Sequence, residues 1–234
     1  MYRGKAKNED QVSNSNLKEK SGPIMSTSTR YISVAVQVAV VCVAVLIIFK
    51  TITNAGIVLY TFHPTLMAVG YLILLGEGIL AMSGLSSLAD GYSHNQRVSA
   101  HWVIQTIGMI LITIAQSCIY INKDINGYPH YSTIHSWCGL VTYLLTIGAT
   151  LGGVGNKYST QLKLKPVQLK IAHGFAGAFV YVCACGTICV GLNQVWTDEK
   201  DAELKLGAMV VIFLSCFYIV YQSLQTAIRR AVYM

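Results

Sequence analysis

Four histidines, His63, His101, His135 and His173, recur at intervals of 38, 34 and 38 residues, each near the start of a long apolar segment. One membrane crossing plus a turn takes up about that much chain. Imidazole is costly to bury in hydrocarbon, so an intramembrane histidine is functional by default. It is also a common metal ligand. Four in register predict two bis-histidine metal sites at two depths, most simply two b-type haems, one near each membrane face. Zinc fits less well, because it prefers four tetrahedral ligands and each depth supplies two imidazoles. Iron held between opposed imidazoles has no open position, so it moves electrons rather than binding oxygen.

The rest of the chain must supply the helices that carry these residues. Of 234 residues, 53% are hydrophobic and 12% charged; soluble domains carry about 25% charged residues. Mean hydropathy is +0.51. These values predict an integral membrane protein and exclude a pair of packed soluble domains. Six apolar segments, roughly 31–49, 60–84, 98–120, 132–154, 171–193 and 204–226, are long enough to cross a bilayer as helices. Their runs are continuous rather than alternating, which excludes a transmembrane β-barrel. The expected fold is all-α: a six-helix transmembrane bundle over residues 31–228, with four central helices holding two haems. Residues 1–30 are polar, carry charges of both signs, and read as a flexible cytosolic tail rather than a signal peptide. The connections are too short for a soluble catalytic domain. The seven cysteines all lie within apolar runs and show no CxxC pair, so they read as packing residues.

The net charge of +7 reports sidedness rather than a nucleic-acid partner. With a cytosolic N-terminus, 13 of the Lys and Arg residues fall on the cytosolic side and Lys50, Lys123, Lys200 and Lys205 on the other. Both termini are then cytosolic. Segments two and four run outward to inward and place His63 and His135 in the outer leaflet. Segments three and five run the other way and place His101 and His173 in the inner leaflet. Topology thus pairs His63 with His135 and His101 with His173. A flat porphyrin needs small residues beside its ligands. Gly139 lies at i+4 from His135, Gly177 at i+4 from His173, and Gly108 two turns after His101. His94 is expected in the inner loop 85–97 and His130 in the outer loop 121–131, where His130 can shape an outer substrate site. Glu77 is the one carboxylate inside an apolar segment. Its 14-residue spacing from His63 predicts nearly the same helix face, about 21 Å deeper, and a role in proton movement coupled to reduction of the inner haem.

At these residues the chain resembles the cytochrome b561 family of transmembrane ascorbate-dependent reductases. The matching stretches are Phe62-His63-Pro64 with Leu66-Met67, the run Arg97 to Gln105 with His101-Trp102, His135-Ser136-Trp137-Cys138-Gly139, Gly152-Gly153-Val154-Gly155, and Lys170-Ile171-Ala172-His173-Gly174. The closest likeness is to the short members, described as reductases of intracellular membranes. The resemblance implies two haem b groups per chain, on His63/His135 and His101/His173. It also implies cytosolic ascorbate as donor, monodehydroascorbate or a ferric chelate as acceptor, and a place in an endomembrane such as the ER or a vesicle. A homodimer is left open. Better-known members carry a basic residue after segment two, where this chain has Ser83-Gly84-Leu85, and lysines before the segment-three histidine, where it has only Arg97. An anionic donor suits a cationic surface, which Arg97, Lys163, Lys165 and Lys170 would supply here. Two other classes compete. A haem-bearing membrane anchor passing electrons between a partner protein and quinol would depend on that partner. A haem-free transporter or structural protein would lack sharp α bands when reduced. No P-loop or Rossmann motif is present, because the GGVG run follows a membrane helix rather than a strand.

Overall fold

The computed structural model describes residues 26–232, so the tail over residues 1–25 lies outside the described residues. Six long helices follow in order: α1 (Thr27–Ala55), α2 (Leu59–Ser83), α3 (His94–Asn126), α4 (Ile134–Lys157), α5 (Pro166–Val195) and α6 (Ala202–Val232). All six are long and apolar enough to cross a membrane. Among the described residues there is no β-strand.

Capping, rather than hydropathy, sets the helix ends, so the helices outrun the apolar segments. Ser93 caps α3 by accepting from the Gln96 N–H, while the Gln96 side chain accepts from the Ser93 N–H. The polar stretch expected to be loop therefore folds into the first turns of α3, and His94 and Arg97 lie on the helix. Thr133 and Ser136 form the same reciprocal cap ahead of α4. Lys170 lies on α5 rather than in the preceding loop. Gly84 closes α2 at φ +73°, in the left-handed region that favours glycine.

One helix departs from α geometry. Pro64 lies inside α2, and residues Ala68–Leu75 wind as a π-helix before the α form resumes at Gly76. Proline removes a backbone donor, and π winding is rare and concentrated at functional sites.

The buried core draws on α1 (Val40, Val43, Ala44, Ile47), α2 (Tyr71, Leu72, Leu75), α5 (Tyr181, Ala184, Leu192) and α6 (Ile212, Ile219). Helices α1 and α6 pack on each other and against α2 and α5. Helix α3 packs closely on α2, and α4 on α5; the π segment of α2 meets α5. The four histidine-bearing helices are thus two antiparallel hairpins, α2/α3 and α4/α5. Their joint is α2 against α5, while α3 and α4 lie at the periphery. Because α1 runs from the N-terminal face to the far face, the start of α2 and of α4 lies at the far face, and the start of α3 and of α5 at the N-terminal face.

Candidate functional site

His63 and His135 stand at or just past the first turn of α2 and α4, whereas His101 and His173 stand about two turns into α3 and α5. Across the two hairpins the rings meet in pairs. His63 and His135 have ring centroids 6.2 Å apart and planes at 78°. His101 and His173 are 6.2 Å apart at 86°. These are the pairs that topology predicts, the first toward the far face and the second toward the N-terminal face.

Within each hairpin, the sister helix orients the imidazole. His63 Nδ1 donates to the Ala115 carbonyl at 3.1 Å, and His101 Nδ1 to the Gly78 carbonyl at 2.8 Å. His135 Nδ1 donates to the Thr187 carbonyl at 3.1 Å. A carbonyl can only accept, so Nδ1 carries the hydrogen and Nε2 keeps its lone pair. This is the arrangement that presents imidazole to a metal. His173 is the exception: its buried Nδ1 faces the Ala149 carbonyl without hydrogen-bond geometry. The pattern repeats in sequence. His135 and His173 each follow their counterparts by 72 residues, as Thr187 follows Ala115.

These residues fit an iron porphyrin. A metal–imidazole bond is about 2 Å, and each ring centre lies roughly 1 Å behind its nitrogen, so two imidazoles on one metal hold their centroids about 6 Å apart. Among the described residues, no third His, Cys, Asp or Glu joins either pair in a cluster able to hold a metal. Two glycines make room for the rings. A Cβ on Gly191 would stand 2.7 Å from His135 Cε1, and one on Gly153 would stand 3.2 Å from His173 Cε1. Of the glycines expected to serve, Gly139 lines the far-face cavity. Gly108 packs on α2 instead: its Cβ would lie 2.7 Å from Leu75 Cδ1. Nothing lies within 4 Å of a Cβ on Gly177. Spacing along one helix does not mark Gly191, or Gly153 beyond its place in the Gly152–Gly155 run, because each faces a histidine on the neighbouring helix.

The far-face pair opens into a cavity of about 1290 Å³ that includes open solvent. His63, His135 and Tyr71 line it together with Tyr120, Lys123 and His130. His130 Nε2 bonds Asp124 Oδ1 at 2.8 Å, and its ring stacks on Tyr120 with centroids 4.3 Å apart. Lys123 Nζ donates to the Pro129 carbonyl at 2.9 Å. Lys123 is a residue that charge counting alone left as a marker of sidedness.

The N-terminal face carries the other candidates. Arg97 lies over Gly84, where a Cβ would collide with its guanidinium, and its buried Nε has no hydrogen-bond partner. Lys163, Lys165 and Lys170 are exposed around the α4–α5 connection. Lys157, at the end of α4, stands 4.1 Å over the Trp102 ring. Trp102 adjoins His101, and Lys157 follows Gly153 by one turn on the same helix face, so this cation lies toward the same membrane face as the second pair. Glu77 accepts from the Ser86 hydroxyl and adjoins Gly78, whose carbonyl holds His101. The π segment takes more residues per turn than an α-helix, so the regular phase that related Glu77 to His63 does not run unbroken between them.

Comparison with known proteins follows the same residues. The family model of eukaryotic cytochrome b561 matches residues 62–198, a stretch that contains all four histidines. Transmembrane reductase CYB561D2 of Homo sapiens is 28% identical over 151 residues, 64% of this chain and 68% of that protein. Probable transmembrane reductase CYB561D1 of Mus musculus is 29% identical over 155 residues, 65% of this chain and 68% of that protein. Transmembrane ascorbate-dependent reductase CYB561 of Homo sapiens is 21% identical over 171 residues, 68% of this chain and 64% of that protein.

Proposed function

The chain belongs to the eukaryotic cytochrome b561 family of transmembrane reductases, and from that premise we propose that it carries electrons from cytosolic ascorbate across an endomembrane to monodehydroascorbate or a ferric chelate. Two haem b groups serve it, one held by His101 and His173, the other by His63 and His135. Haem iron held by these paired imidazoles would supply one-electron exchange. The single observation that carries the reading is the crossing of two hairpins to give two imidazole pairs, each 6.2 Å between centroids, with the lone pair on Nε2 wherever Nδ1 donates to a carbonyl.

The chain's own residues divide the remaining work. The backbone carbonyls of Ala115, Gly78 and Thr187 fix tautomer and ring orientation. On the cytosolic side, Arg97 with Lys163, Lys165 and Lys170 attracts the anionic donor, and Lys157 on Trp102 adds a cation toward the same face as the inner pair. On the opposite side, His130 and Lys123 receive the acceptor in the cavity that His63 and His135 line. Glu77, hydrogen-bonded to Ser86, takes up a proton when the inner site is reduced. Both termini are cytosolic in this arrangement, in keeping with the excess of basic residues on that side.

The deciding experiment uses the purified full-length chain in liposomes with a ferric chelate or dye entrapped. External ascorbate should reduce the entrapped acceptor, and the reduced protein should show two b-type components. Absence of α bands from protein produced with ample haem would end the proposal. Reduction that appears only with an added partner protein would favour the anchor-subunit reading instead.

A further inference from the structure

We propose that Tyr71 and the Thr146 hydroxyl form the bridge through which an electron passes between the two histidine pairs; the inference rests on reading those pairs as haem sites. Tyr71 is 4% exposed and lines the far-face cavity together with His63 and His135. It lies in the π segment of α2, at the joint between the hairpins. Its phenol is 2.9 Å from Thr146 Oγ1 on α4. The Thr146 hydroxyl spends its one hydrogen on the Thr142 carbonyl at 2.7 Å, so Tyr71 is the donor in the shared bond.

From Thr146 the path continues along α4. Thr150 Oγ1 donates to the Thr146 carbonyl at 2.8 Å. Gly153 lies seven residues on from Thr146, about 10 Å along the helix axis, where its absent side chain lets His173 come close. One hydrogen bond and two helical turns thus lead from the far-face cavity to the glycine beside which an imidazole of the other pair lies. Tunnelling decays less steeply through bonded and hydrogen-bonded atoms than across gaps. One electron leaves the inner site, which is oxidised, and reaches the outer site, which is reduced. No bond forms or breaks, and the Tyr71 proton stays in its hydrogen bond.

Packing explains the threonines by themselves, because a buried threonine on a helix bonds its own i−4 carbonyl. It does not explain a phenol in hydrocarbon, where phenylalanine would fill the space and need no partner. The internal repeat supplies a control. Tyr143 follows Tyr71 by 72 residues, yet its hydroxyl reaches Thr113 on α3 at 3.4 Å, off the path.

The test uses haem-loaded, full-length protein. One haem is reduced by a light pulse, and equilibration between the two is followed optically. Transfer should slow severalfold in Thr146→Val and Tyr71→Phe, more in Tyr71→Leu, and stay at the parent rate in Tyr143→Phe, with absorption spectra and midpoint potentials as in the parent. In the haem-free chain, the infrared tyrosine C–O band lost in Tyr71→Phe should shift in Thr146→Val. Unchanged transfer in both Thr146→Val and Tyr71→Leu overturns the inference. Should Tyr71→Leu fail to fold, the nearly isosteric pair Tyr71→Phe with Thr146→Val decides it in the same way. A parent protein with a single b-type component overturns the haem reading itself, and is told apart by the spectrum alone.

Discussion

The two imidazole pairs share one geometry and differ in nearly everything around it. Both hold ring centroids 6.2 Å apart with planes close to perpendicular, and both are built from the same 72-residue repeat of a two-helix hairpin. In the far-face pair, both Nδ1 atoms are anchored on backbone carbonyls. In the N-terminal-face pair, only His101 is anchored, and the buried Nδ1 of His173 is left without a partner. The far pair faces a cavity open to solvent, with Tyr120 and Lys123 of α3 and His130 of the α3–α4 connection in its wall. The other pair lies toward the same membrane face as Lys157 on Trp102 and beside Glu77 on Ser86. The repeat reproduces the histidine scaffold, while the loops and helix ends outside it give each face its own surroundings.

The sharpest way to break this comparison is to remove one ligand at a time. His63→Ala or His135→Ala should abolish one reduced spectral component, and His101→Ala or His173→Ala the other. If His63→Ala and His101→Ala removed the same component, the pairing would be wrong. The glycines give the next largest effect. Gly191→Ala should weaken haem retention at the far face about tenfold or more, the scale of a disturbed ligand-orienting contact, since its methyl would strike the His135 ring. Gly153→Ala, with 3.2 Å available beside His173, should cost less; comparable losses would show that the two rings are equally confined. Third, Lys157→Gln should raise the KM for ascorbate severalfold while leaving both spectral components intact. An unchanged KM would return Lys157 to a purely structural partner of Trp102. The smallest effect is expected at Glu77. The midpoint potential of the inner component should fall as pH rises in the parent, because reduction takes up a proton, and should lose that slope in Glu77→Gln. A parent whose inner potential ignores pH would exclude Glu77 from proton coupling.

Much of this was legible along the chain. Hydropathy locates six spans, and the alternation of helix direction sets His63 beside His135 and His101 beside His173. Boundaries were less legible. The polar turns at His94–Arg97 and Lys123–Asn126 belong to helices because Ser93 and Gly127 cap them, and a hydropathy window does not register a cap. The π winding of Ala68–Leu75 was invisible, since the residues Ala-Val-Gly-Tyr-Leu-Ile-Leu-Leu suit an α-helix equally well.

Apolar length, charge bias and the depth of a histidine along its own segment are properties of one helix at a time, and the amino-acid order determined them outright. Rotation about each helix axis, and which backbone carbonyl faces which ring, depend on how neighbouring helices mesh. Only the tertiary structure therefore decided that Ala115, Gly78 and Thr187 orient the imidazoles, that Gly153 and Gly191 clear space for them, and that Tyr71 meets Thr146 between the two pairs. The physical reason is range: burial in lipid acts on each segment independently, whereas a hydrogen bond or a steric clearance exists only once two distant segments have been brought within a few ångströms.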